Sequence, residues 1–81
     1  MQFQERTLKE LLAKIFKVPV NIITDDASPD TIESWDSLQH MNLVLALEGF
    51  YGVEMTDDQV IDILSYKLIK LVLEENGIEF I

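Results

Sequence analysis

Leu8, Leu11, Leu12 and Ile15 recur at i, i+3, i+4 and i+7, with Arg6, Lys9, Glu10 and Lys14 on the other side. That spacing lays the four apolar residues along one face of a first helix. Pro19 stops this helix soon after Phe16. Between Val18 and Trp35 the periodicity disappears, and Pro19, Pro29 and a cluster of turn formers read as a long loop. Val20, Ile22, Ile23 and Ile32 are predicted to pin that loop against the rest. A loop of this length in a small domain is usually functional. A second helix follows, with Asp36 as N-cap and Gln39 in place to complete a capping box. Leu38, Met41, Val44, Leu45 and Ala46 form its apolar surface, widened by Leu43, Leu47 and Phe50. It should end near Gly49–Gly52, where a glycine takes the left-handed conformation. Thr56 with Gln59 repeats the capping-box spacing and opens a short third helix, its apolar side formed by Val60, Ile61 and Leu64. Ser65 caps a fourth helix with Leu68, Leu71 and Val72 toward the core, closed by Asn76-Gly77. Strand-like alternation is almost absent. The pattern predicts an all-α fold: a small four-helix bundle with a long loop between helices 1 and 2 and a short third helix.

Length and charge narrow the functional classes. With 81 residues, nearly half of them apolar, the chain reads as one globular domain over residues 1–81. A chain this short has little room for both a core and a pocket that encloses a substrate, which favours binding or carrying over catalysis. The net charge of −9 opposes nucleic acid and anionic membrane surfaces. The charge is also segregated. Between Val18 and Tyr66 there is no Lys or Arg but ten acids, whereas all six basic residues lie near the two ends. Such a surface suits steered, short-lived encounters with basic partners. Self-repulsion favours a monomer. The chain has no cysteine, which excludes disulfides and thiolate metal sites. It shows no export signal and no membrane-spanning run, so a cytoplasmic location is expected.

The candidate chemistry lies at Trp35-Asp36-Ser37-Leu38, where a serine hydroxyl falls on the first turn of a helix inside the acidic segment. His40 lies one turn further on, yet a Ser37–His40 hydrolase lacks a Gly-x-Ser-x-Gly elbow and a third group. The segment Asp25–Asp30 fails as a calcium loop, because Thr31 stands where glycine is needed and Ser37 where glutamate is needed. No metal site and no enzymatic activity are therefore expected.

Asp36-Ser37-Leu38, followed by an apolar helix and then Ala46-Leu47-Glu48, resembles the acyl carrier protein family, and the resemblance extends over essentially the whole chain. It implies that Ser37 carries a 4′-phosphopantetheine arm, transferred from coenzyme A by a phosphopantetheinyl transferase. It further implies that the arm holds an acyl group as a thioester between biosynthetic enzymes. Asp36 would help the transferase recognise the site. Leu38 and Met41 would add an apolar spot beside the serine, and Glu48, Glu54, Asp57 and Asp58, with Asp62, would steer the basic surfaces of acyl-loading and acyl-accepting enzymes. The chain departs from the common pattern in several places: Trp35 stands where glycine is frequent, Gln39, His40 and Asn42 where acids are frequent, and Gly49-Phe50-Tyr51 after Glu48. The segment Glu33-Ser34-Trp35-Asp36-Ser37 resembles free-standing carriers of specialised pathways, and the departures together point away from standard fatty-acid synthase enzymes as partners. An aminoacyl or D-alanyl carrier is the alternative within the same class, and an unmodified acidic helical adaptor is the alternative outside it. Trp35 is expected at the bundle edge, His40 as an exposed residue beside the arm, and Phe50 and Tyr51 in the core and at its edge.

Overall fold

The computed structural model describes residues 2–81. In chain order it has a strand β1 (Gln2–Phe3), helix α1 (Glu5–Phe16), one 3₁₀ turn (Val20–Ile22), helices α2 (Ser37–Tyr51), α3 (Asp57–Asp62) and α4 (Tyr66–Glu75), and a strand β2 (Glu79–Phe80). The four helices, the long first connection and the short third helix agree with the expected bundle. The two strands are an addition. They pair in parallel, with Gln2 opposite Glu79 and Phe3 opposite Phe80, and so join the chain ends.

Each helix end is made by the residue whose chemistry suits it. Helix α1 stops at a left-handed Lys17 (φ 57°), whose N–H reaches Ala13 O. Helix α2 stops at Gly52 (φ 67°), whose N–H reaches Glu48 O at 3.0 Å; the left-handed conformation there favours glycine. Thr56 and Gln59 form the complete capping box of α3, and the Ser65 side chain accepts from Leu68 N–H at the start of α4.

Periodicity identified the helices more reliably than their inward faces. Helix α1 buries Leu8, Leu12, Ala13 and Phe16, leaving Leu11 and Ile15 half-buried. Helix α2 buries Leu43, Val44, Leu47 and Tyr51, so the expected inward residues Leu38, Met41, Leu45 and Phe50 face solvent instead. Apolar residues surround most of this helix, so its sequence does not select a face and its neighbours do. On α3 no residue is fully buried. Ile61 and Leu64, both expected to face inward, are exposed, and Ile63 just beyond the helix enters the core in their place. Helix α4 turns Tyr66, Ile69, Val72 and Leu73 inward and leaves Leu68 and Leu71 outside.

The long loop is held from several sides. Ile23, Ala27, Ile32 and Trp35 are buried, whereas Val20 and Ile22 are exposed. Ser34 Oγ donates to Phe16 O at 2.7 Å, satisfying a carbonyl at the end of α1. Tyr66 N–H donates to Ala27 O at 2.9 Å and ties the start of α4 to the loop. These contacts fix the approach of the chain to Ser37.

Candidate functional site

Ser37 is the first residue of α2 and its side chain is exposed. Asp36 precedes it in an extended conformation, and Asp36 Oδ1 accepts from Gln39 N–H at 2.9 Å. The second half of the expected capping box does not form. Asp36 N–H donates to Ser34 O at 3.0 Å instead, and Gln39 Oε1 accepts from Asn42 Nδ2 at 3.2 Å. The result still places a free hydroxyl at the positive end of a long helix, where backbone N–H groups lack carbonyls one turn earlier.

Trp35 and His40 depart most from expectation. Trp35 is 4% exposed and stacks on Phe16 with ring centroids 4.7 Å apart, so it belongs to the core rather than the bundle edge. Its Nε1–H donates to His40 Nδ1 at 3.1 Å. His40 Nε2–H in turn donates to Val60 O at 2.8 Å. An indole can only donate and a carbonyl can only accept, so both bonds together select the neutral Nε2–H form of the imidazole. His40 is thus half-buried and fully engaged, and it is not an exposed residue free to act as a base for Ser37. The sequence carried a signal for this: a Trp and a His flanking the N-cap five positions apart are placed to meet across the first turn.

An open groove of about 500 Å³ adjoins the serine, lined by Pro29, Trp35, Asp36, Ser37, His40, Met41 and Leu64. Leu38, Met41 and Leu45 of α2 are exposed, as are Ile61 and Leu64 at α3. Glu54, Asp57, Asp58 and Asp62 are all exposed. Glu48 is half-buried, and its Oε2 accepts from Met55 N–H at 2.9 Å, closing the turn between α2 and α3. The structure therefore brings Asp36, Leu38 and Met41 to Ser37, and gives Glu48 a bond within the fold.

Two buried tyrosines and the half-buried Glu5 have shifted ionisation. Burial pushes the Tyr51 phenol up to about 12, and its hydroxyl has no partner among the described residues. Burial and the neighbouring Glu5 push Tyr66 up as well. Glu5 is held below the ordinary 4.5, chiefly by the Tyr66 hydroxyl and then by Lys70, against an opposing contribution from burial. None of the three belongs to the Ser37 groove.

Residues 6–69 match the model of the phosphopantetheine attachment site family. The fold is similar to the solution structure of a holo acyl carrier protein from Geobacter metallireducens, with a TM-score of 0.80 and 22% identity over 91% of this chain and 85% of that one. No curated protein is matched by the sequence.

Proposed function

The chain belongs to the phosphopantetheine attachment site family of non-catalytic carriers, and from that premise we propose that Ser37 is its attachment residue. The observation that carries this reading is an exposed serine hydroxyl heading α2, next to a cap carboxylate and an open groove. The family implies a 4′-phosphopantetheine group and modification by a phosphopantetheinyl transferase, and the residues at Ser37 fit such a group. The hydroxyl is accessible for a phosphodiester, and the unpaired N–H groups of the first turn favour an anion beside it. When bound, the group supplies a thiol on which cargo is held as a thioester. His40 is not free to activate Ser37, since both its ring nitrogens are engaged; the base and metal for the modification come from the transferase.

The carrier's own residues present and recognise. Asp36 caps the helix and marks the site for the transferase. Leu38 and Met41 supply an apolar contact beside Ser37, and Glu54, Asp57 and Asp58, with the remaining face of Glu48, attract Lys- and Arg-rich surfaces of loading and accepting enzymes. Attraction of this kind speeds encounter more than it tightens binding, which suits a shuttle. The cargo is an acyl group. Trp35 before the cap, and Gln39, His40 and Asn42 in place of acids on the first turns of α2, support a carrier of a specialised pathway.

The test is intact-protein mass spectrometry after incubation with coenzyme A, magnesium and a broad-specificity phosphopantetheinyl transferase. Wild type should gain the mass of one phosphopantetheine and Ser37→Ala none. A folded wild type that gains nothing beside a working control carrier would favour the unmodified adaptor. A D-alanyl or other aminoacyl cargo would appear as a different adduct on the thiol in protein taken from its native host.

A further inference from the structure

The hydrogen bonds around His40 cross the gap between α2 and α3, and this crossing bears on where cargo can go. Helix α3 is only six residues long and buries none of them fully. The carbonyl of Val60 lacks its usual helical donor, because Leu64 N–H turns to Asp62 O at 2.8 Å. His40 Nε2–H satisfies that carbonyl from the neighbouring helix. On its other side His40 is held by the Trp35 indole, to which its ring lies nearly parallel at 18° and 6.3 Å. Trp35 in turn rests on Phe16. A continuous latch therefore runs from α1 through Trp35 and His40 to α3, and Trp35 and His40 also line the groove next to Ser37. Leu43 and Leu47 of α2 and Ile63 just after α3 are fully buried in the core.

We propose that the Trp35–His40–Val60 latch closes the route between α2 and α3, so that an acyl chain on the Ser37 arm lies in the surface groove over Trp35, Met41 and Leu64 rather than in the core. The proposal rests on Ser37 being the attachment residue. The groove is apolar enough for a short chain, with Pro29, Met41 and Leu64 among its walls. Entry into the core would break two hydrogen bonds of a half-buried imidazole and leave the Val60 carbonyl and the indole N–H without partners, an unfavourable exchange. His40 is here a positioning residue: both its ring nitrogens are engaged within the fold, and it acts by holding α3 in place.

The test uses full-length holo protein loaded with an octanoyl group, each step verified by intact mass. Methyl and indole NMR spectra and Tm are then compared between the holo and octanoyl forms, for wild type and for His40→Ala. In wild type, octanoylation should shift Met41, Leu64 and the Trp35 indole, leave the methyls of Leu43, Leu47 and Ile63 in place, and leave Tm unchanged. In His40→Ala it should shift those core methyls and raise Tm. Movement of the core methyls or a raised Tm in wild type would overturn the proposal. So would wild-type spectra unchanged everywhere, or a His40→Ala protein that responds as wild type does. If His40→Ala does not fold, the wild-type spectra decide alone. Failure to gain phosphopantetheine would instead refute the assignment of Ser37, and the latch's role in placing cargo would fall with it.

Discussion

The two halves of the bundle handle charge in opposite ways. Helices α1 and α4, with the Lys17 cap, carry all six basic residues, set against five acids outside the central segment, and three of the six have a partner within the fold. Lys70 meets Glu5 at 3.4 Å and Arg6 meets Glu10 at 3.8 Å, Lys9 lies over the Tyr66 ring, and the Tyr66 hydroxyl donates to Glu5. The segment that contains α2 and α3 has ten acids and no basic residue, and its exposed apolar side chains lie among them. One half is balanced within the molecule and the other is unbalanced. The unbalanced half holds Ser37, as expected of a surface completed only by partners.

The largest contrast should appear within α2 itself. Leu47→Ala, at a fully buried position, should cost about 2–5 kcal/mol in denaturant unfolding, whereas Leu45→Ala, at a residue 64% exposed, should stay within about 0.5 kcal/mol. Similar losses at both positions would mean that the inward face is misassigned. Next, replacing Asp57 and Asp58 together by Asn should slow modification by a transferase at low salt, on the order of threefold to tenfold, and flatten its salt dependence. The same change of charge at Glu74 and Glu75 on α4 should leave the rate unaltered, and equal effects would dissolve the distinction between the halves.

Much of this organisation is legible in the sequence, though unequally. Helix order, the caps at Asp36, Thr56 and Ser65, and the stop at Gly52 follow from local chemistry and are read correctly. The faces of α2 and α3 are not, since an all-round apolar helix or one of six residues is oriented by its neighbours rather than by its own period; on α4 only Val72 of the three expected residues turns inward. Two-residue strands are too short to show alternation, and the bond from His40 to Val60 joins residues whose proximity is decided by packing. The position of Ser37 is legible because an N-cap and a helix start are local. Its latch is not, because it depends on the contact between α2 and α3.

Smaller effects concern the balanced half and the core. Glu5 has its carboxyl depressed below 4.5 in the folded state. The stabilisation it contributes is therefore complete above that value and is lost as pH falls through the lower folded one. Tyr66→Phe, which removes the donor, should lower stability near neutral pH and narrow its difference from wild type in acid; a difference independent of pH would contradict the coupling. Tyr51→Phe removes a hydroxyl without a partner among the described residues and should be neutral or stabilising by up to about 1 kcal/mol. Because the Tyr51 phenol is raised from 10.0 to about 12, its neutral form favours folding below 10.0 and that contribution is lost as pH rises toward the folded value. The variant should lack this part of the alkaline destabilisation.

The central claim is that the arm is attached at Ser37, and tandem mass spectrometry of the modified protein tests it most directly. No Lys or Arg lies between Lys17 and Lys67, so trypsin leaves Val18–Lys67 as one peptide, in which Ser28, Ser34, Ser37 and Ser65 compete on equal terms. The account predicts that phosphopantetheine is found on that peptide and that fragmentation assigns it to Ser37. Assignment to Ser28, Ser34 or Ser65, or an unmodified peptide from a protein that has gained the mass elsewhere, would contradict it.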